Sequence, residues 1–336
     1  MLSERLTHLA QYAALRTFAG LFHAFGPEQN LRTAAAMARL FHRVNPRRAG
    51  RADEHIAMAY PNASPQWRAE VAEASLENMF RIFMVESVIM PQILNRYSCP
   101  RHVCFGDVAG TFDLLLSDRP LLLVTGHCGN WELLGLVLAL LDFPMAVLAR
   151  PLDNPLINEW LLAMRESRGL RVLTKWGATE EIQRLIDTGS RIGFIADQNA
   201  GDDGIFVPFF GRLASAYKSI GLFAMRHRVP IMVGAAMRRD EALRYSLEIT
   251  DVIQPEAWES QEDPLFYVTA RYTRGIELAV RKAPEQYLWI HRRWKSRPRF
   301  EREGRPFPEP LRRKLESLPW MTDGEMSRIE QTSRVV

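Results

Sequence analysis

Long apolar runs are missing from this chain. No stretch of about eighteen consecutive apolar residues occurs, so a transmembrane helix is not expected. The first 26 residues lack a signal-peptide pattern as well, because Arg5, His8, Arg16 and His23 interrupt them. Cysteine is scarce. Cys99, Cys104 and Cys128 are odd in number and form no CxxC pair. That excludes a disulfide framework, points to a reducing compartment and leaves no structural zinc site. One-signed charge is weak too. The 43 basic and 39 acidic residues leave a net +4, too little to predict a nucleic-acid partner. Internal repeats and low-complexity segments are absent. With 47% hydrophobic and 24% charged residues the chain is expected to fold throughout.

What is present changes character along the chain. Residues 1 to 95 read as helical, with apolar positions three and four apart in "PEQNLRTAAAMARLFHRV" and "SPQWRAEVAEASLENMFRIFMVESVIM". Ser64-Pro65 has the chemistry of a helix start, serine as cap and proline in the first turn. The first helix carries Leu2, Leu6, Leu9, Ala13, Phe18, Leu21, Phe22 and Phe25 at helical spacing. Two readings stand: an amphipathic helix packed on the domain, or one lying in a membrane interface with its basic residues toward headgroups. The cluster Arg47, Arg48 and Arg51 reads either as a solvated loop or as a headgroup contact.

From residue 103 short apolar segments end abruptly in polar residues: "PLLLVTGH", "PMAVLARP", "LRVLT", "SRIGFIADQ", "PIMVGAAMRR" and "RYSLEITDVI". Helical patterns separate most of them. This alternation predicts an α/β fold, a largely parallel sheet flanked by helices, with the helical N-terminal region in front. The boundaries fall at 1–95 for the helical region, 96–300 for the α/β core and 301–336 for a charged, proline-rich tail. Ligands of such sheets bind beyond the carboxyl ends of the strands. His127, Arg150 and Asp197 all stand at such ends, which places them in one cleft.

The most distinctive stretch is "TGHCGNWELL", residues 125 to 134. Five residues of regular helix turn through roughly 140°, which would point His127 and Glu132 apart. They meet only if the histidine sits in a turn before the helix. Gly126 and Gly129 permit that turn, Asn130 is suited to cap the helix, and Glu132 then falls in its first turn. A carboxylate there stays ionised, and beside an imidazole it fixes the tautomer and supports the imidazolium. A general base is one reading; a core histidine with an exposed Glu132 is the other. Metal chemistry is not indicated, since the second histidine of HExxH is missing. Cys128 lacks a separate base, and no serine elbow suggests a hydrolase.

Four blocks in order tie the chain to a known family. "HCGNWE" resembles the HX4E motif of the bacterial lipid A biosynthesis (late) acyltransferases, within the wider HX4D/E glycerolipid and lysophospholipid acyltransferases. "ARPLDNPLINEWLLAMRESRG", "IADQNAGDDGIFVPFFGRLAS" and "APEQYLWIHRRWKSRP" resemble the blocks that follow, covering roughly residues 55 to 300. The resemblance implies acyl transfer from an acyl carrier protein or coenzyme A thioester to a hydroxyl of a phosphorylated glycolipid. His127 is then the general base and Glu132 its orienting partner, with no acyl-enzyme, no cofactor and no metal. Relatives act on other polar lipids, including lysophospholipids, phosphatidylinositol mannosides and aminoacyl lipids, so these remain as alternative acceptors. A non-catalytic lipid-binding protein is a further alternative.

The same resemblance favours substrate contacts by Asn130, Arg150, Asp197, Gln198, Arg292 and Arg293. Asp197 and Gln198 read equally as caps of the next segment. "GIFVPFFG" reads as core packing or as an acyl-chain contact. The basic-aromatic stretch "HRRWKSRP" fits anionic headgroups, a phosphorylated acceptor or an acidic carrier surface better than nucleic acid. Peripheral attachment to the cytoplasmic face of an inner membrane is the location this implies.

Overall fold

The structure, a computed structural model, describes residues 2–106, 111–117, 119–143, 145–149, 151–166, 169–174, 178–240 and 243–333, with backbone alone at 2, 3, 22, 23 and 178. The N-terminal region is helical as its periodicity predicts: Leu2–Ala24, Pro27–Val44, Pro46–Ala59 and Pro65–Phe80 follow one another. Three of these helices begin at a proline, whose missing N–H is no loss in the first turn. Ser64 caps the fourth by accepting from the Trp67 N–H at 3.1 Å. That helix then widens into a single π segment, Arg81–Glu86, before Ser87–Ile93.

The core is a sheet of seven strands in the order β1-β9-β8-β2-β5-β3-β4. These are β1 (Val103–Phe105), β2 (Leu121–Thr125), β3 (Met145–Ala149), β4 (Leu170–Thr174), β5 (Arg191–Ile195), β8 (Ile231–Arg238) and β9 (Tyr245–Ile253). All six apolar segments expected from the sequence are strands. Pairing is parallel everywhere except between β8 and β9. Strand β2 is buried along its whole length, as a strand covered on both faces must be.

Two features depart from expectation. "IFVPF" and "RLASA", which are not among the six expected strands, form an antiparallel hairpin, β6 (Ile205–Phe209) with β7 (Arg212–Ala216). Phe209 and Phe210 are fully buried there, so core packing accounts for that segment. Residues beyond 300, expected as a charged tail, supply helices Glu309–Glu316 and Asp323–Thr332. Their Leu315, Met326 and Ile329, with Leu318 between the two helices, enter the same core as β2, β5 and β8.

Strand order positions the site. β2 and β5 are neighbours although β3 and β4 intervene in sequence, and their register pairs Thr125 with Ile195. The chain leaves β2 for β3, and reaches β8 on the other side after β5. The ends of β2 and β5 therefore flank the crevice where the connections diverge, the usual ligand position in such sheets.

Candidate active site

Two residues beyond the paired Thr125 and Ile195 stand His127 and Asp197. The imidazole Nδ1 lies 2.8 Å from Asp197 Oδ1. An ionised carboxylate only accepts, so Nδ1 carries the proton and Nε2 is left with its lone pair free. Asp197 is 2% exposed. Burial alone would raise its pKa, but the charge and hydrogen bond of His127, with Arg293 behind, hold it below the usual carboxylate value. Burial likewise works to lower the His127 pKa. The charge and hydrogen bond of Asp197, helped by Glu132, outweigh it and leave the imidazole above its usual 6.5. A second imidazole nearby behaves oppositely. His291 accepts from the Asn199 N–H at 3.2 Å, and burial pushes its pKa down to about 4. Of the two, His127 is the one equipped to take up a proton and hold it.

The turn carrying His127 is fixed from the far end of the chain. Leu288 N–H donates to the His127 carbonyl at 3.0 Å, and Gly129 N–H donates to the Gln286 carbonyl at 3.1 Å. Cys128 forms an isolated bridge with Tyr287. "APEQYLWI" is therefore a clamp on the histidine turn, a role its sequence does not announce. Gly129 has φ +63°, and a Cβ there would sit 2.1 Å from the Ala236 carbonyl oxygen, so only glycine fits. Cys128 is fully buried and its thiol is pushed well up by that burial, which removes it as a nucleophile.

The helix Trp131–Leu140 begins where the sequence places it. Asn130 Oδ1 accepts from the Leu133 N–H at 2.9 Å. Its amide nitrogen donates to Glu86 Oε2 at 2.7 Å, at the end of the π segment. At 2% exposure, Asn130 is a cap and a tie rather than a substrate contact. Glu86 is itself buried beside Arg81, at 3.4 Å.

Glu132 falls in the first helical turn, yet its hydrogen-bond partner is not His127. Arg165 grips it with two donors, Nε to Oε2 at 3.0 Å and Nη2 to Oε1. The expectation that Glu132 orients the histidine is corrected accordingly: Asp197 makes the bond, and Glu132 adds only charge. The helical rotation between a turn and position two of a helix carries the carboxylate outward toward Arg165 on helix Pro155–Glu166. Arg165 lies in the second motif block, but its role was not legible there. Arg150 lies outside the described residues.

The remaining expected contacts divide. Gln198 is half-buried, and its carbonyl accepts from Arg293 at 3.3 Å. Arg293 is buried at 2% exposure, stacked 5.1 Å over Phe209 and bonded also to the Ser215 carbonyl. It braces the floor behind Asp197 and does not reach the cleft surface. Arg292 is exposed.

Beside this dyad opens an apolar cleft of about 1030 Å³, open solvent at its mouth included. It runs between the sheet and helix Trp131–Leu140, over Leu123, Met145, Met232 and Ile249. Gly193 keeps its floor low, since a Cβ there would strike Met145 Cε at 2.5 Å. Thr125, Trp131, Glu132 and Arg165 are the polar or amphipathic residues lining it. The Trp131 ring stands edge-on to His127 with centroids 4.8 Å apart. An activated imidazole thus adjoins a greasy slot with one ion pair in its wall.

Residues 3–296 match a family model described as bacterial lipid A biosynthesis acyltransferase. The chain is 30% identical over 190 residues to a lipid A biosynthesis palmitoleoyltransferase of Escherichia coli (strain K12), 54% of this chain and 58% of that protein. It is 25% identical over 151 residues to a lipid A biosynthesis lauroyltransferase of the same organism, 44% of this chain and 48% of that one. A lipid A biosynthesis acyltransferase of Haemophilus influenzae is 24% identical over 174 residues, 51% of this chain and 52% of its own length. The matched stretches span only about half the length of these relatives.

Proposed function

The chain belongs to the bacterial lipid A biosynthesis acyltransferase family, and from that premise we propose that it moves a fatty acyl chain from an acyl carrier protein or coenzyme A thioester to a hydroxyl of a phosphorylated glycolipid, a lipid A precursor. One observation carries this reading: His127, bonded to Asp197 at 2.8 Å, stands against Trp131 in the wall of an apolar cleft.

The acceptor hydroxyl donates to His127 Nε2. As the proton transfers, its oxygen attacks the thioester carbonyl and Asp197 stabilises the imidazolium. The tetrahedral intermediate collapses by breaking the carbon–sulfur bond, and His127 returns the proton to the departing thiolate. Base catalysis of this kind contributes roughly 10² to 10⁴ in rate. Arg165, held by Glu132 in the cleft wall, supplies positive charge where the carbonyl oxygen becomes negative. No covalent acyl-enzyme is needed, and holding donor and acceptor in contact does the rest.

The test supplies purified protein with a labelled acyl-carrier-protein or acyl-coenzyme A thioester and, in parallel, a phosphorylated disaccharide lipid or lysophospholipids. Label transferred to the disaccharide lipid, and lost in His127→Ala, is the expected result. Transfer to lysophospholipids alone would move the chain to the wider glycerolipid branch. Binding without transfer or thioester cleavage would leave only a lipid-binding protein.

A further inference from the structure

A polar side chain buried in a helix is costly unless it is bonded, and helix Pro65–Phe80 buries two in its core-facing side. Ser75 and Asn78, 2% and 4% exposed, stand there among Val71, Ala72 and Leu76. Both reach far along the chain. Ser75 Oγ donates to the Tyr287 carbonyl at 2.5 Å, and Asn78 Nδ2 donates to the Gln286 carbonyl at 3.2 Å. His55, on helix Pro46–Ala59, adds a third tie, its Nδ1 lying 2.8 Å from the Trp289 carbonyl. A carbonyl only accepts, so Nδ1 carries the proton. Burial holds the His55 pKa below its usual 6.5, which keeps the ring neutral.

The backbone they meet explains the convergence. Residues 286–289 lie against the histidine turn, bridged to it through Cys128 and Tyr287. An extended segment carries hydrogen-bonding groups on two opposite edges. One edge gives the Gln286 carbonyl to Gly129 and the Leu288 N–H to His127. The other edge carries the Tyr287 and Trp289 carbonyls, which in a sheet would meet the next strand. Here Ser75 and His55 meet them. The Gln286 carbonyl is shared, with Gly129 donating from the turn and Asn78 from the helix.

The same segment runs on to the carboxylate. His291 accepts from the Asn199 N–H, two residues beyond Asp197. Asn199 Nδ2 donates to Ser296 Oγ and the Ser296 N–H returns to Asn199 Oδ1, each at 3.2 Å. Residues 286–296 therefore grip both halves of the dyad, and the N-terminal helices hold the grip from behind.

We infer that Ser75 and Asn78, with His55, are positioning residues of the dyad, which through the carbonyls of 286, 287 and 289 fix where His127 meets Asp197. None of the three lines the cleft. Their consequence for turnover rests on the acyl-transfer reading; their effect on the imidazole does not.

Spectra of the full chain with labelled histidine rings, assigned with His127→Gln, test this by titrating His127 without donor or acceptor. Ser75→Ala and Asn78→Leu change no charge, so Asp197 and Glu132, which raise the His127 pKa, both remain. A slackened Asp197 bond lets burial lower that pKa, whereas water admitted by a loosened core would raise it. Each variant is expected to bind the His127 proton at least about threefold more weakly than the parent. In transfer assays kcat is expected to fall by about 10- to 10²-fold with KM changed by less than about twofold. Ser75→Thr, which keeps the hydroxyl, is expected to restore both. The two variants act on separate carbonyls, so either one decides the matter if the other does not fold. A His127 pKa that stays in place or rises overturns the inference, however far the melting curve falls. So does transfer lost while the His127 titration is unmoved. A parent that transfers nothing, with the His127 proton still weakened in the variants, overturns the acyl-transfer reading and leaves the positioning standing.

Discussion

Asp197 Oδ1 lies 2.8 Å from His127 Nδ1, a contact between residues seventy apart in sequence that exists because β2 and β5 are paired in register. The carboxylate raises the imidazole pKa against the pull of burial, which lowers it. Since the base must be neutral, transfer is expected to fall as pH drops through a value above the usual 6.5. In Asp197→Asn the raising influence is removed and burial remains. The acid limb of kcat/KM against pH then moves below that of the parent, and kcat falls by about 10² to 10⁴. A limb that stays in place, or moves up, contradicts the assignment.

The same pair makes stability depend on pH in a definite direction. A raised histidine pKa contributes stability that is present below 6.5 and lost as pH climbs through the raised value. A lowered aspartate pKa contributes stability present above 3.8 and lost as pH falls through the lowered value. Denaturant midpoints of the parent and of His127→Gln, compared across pH, are expected to differ most between those two limits. Parallel curves at every pH would contradict the coupling.

Glu132 and Arg165 are expected to act as one unit. Arg165→Gln removes the positive charge of the cleft wall and should lower kcat by about 10² to 10³. Glu132→Gln should act similarly by releasing Arg165. The double variant is then no more than about tenfold worse than the worse single one. Losses that simply multiply would show that the two residues act independently.

Asn130→Ala removes a helix cap and leaves the buried Glu86 carboxylate without its amide donor. The cap is worth about 1 kcal/mol and the lost bond to the carboxylate, which keeps Arg81 beside it, about 1–3 kcal/mol more. Urea unfolding should show that combined loss. A change under about 0.5 kcal/mol would mean the tie to the π segment carries nothing.

Ile249 lines the cleft without being part of its polar mouth. Ile249→Phe should shorten the acyl chain preferred by two or more methylenes. Each displaced methylene is worth about 0.8 kcal/mol, so kcat/KM for the longest chain falls by about tenfold. Unchanged chain-length preference in a panel of thioesters would place the acyl chain elsewhere.

Much of this was legible in the sequence, and what was not has a physical reason. Six strands and the Ser64 and Asn130 caps follow from local chemistry, because caps and apolar periodicity act within a few residues. His127 and Asp197 both stand at strand ends and so were expected in one cleft. Their bond was not, because it depends on β5 returning beside β2 after two intervening strands. Glu132 was paired with the nearer histidine, when its partner Arg165 comes from a helix 33 residues on. Arg293 sits in a basic run that reads as exposed. Its Nη1 turns inward to carbonyl acceptors on Gln198 and Ser215, and no sequence pattern displays them. The helices after 300 hid their Leu315 and Ile329 among charges that face outward.

The most direct measurement is acyl transfer by His127→Ala from a labelled thioester to a phosphorylated disaccharide lipid, with folding verified by its melting curve. Loss of transfer to the uncatalysed background in a folded protein is the predicted result. A folded His127→Ala that transfers at the parent rate would contradict the general-base mechanism outright.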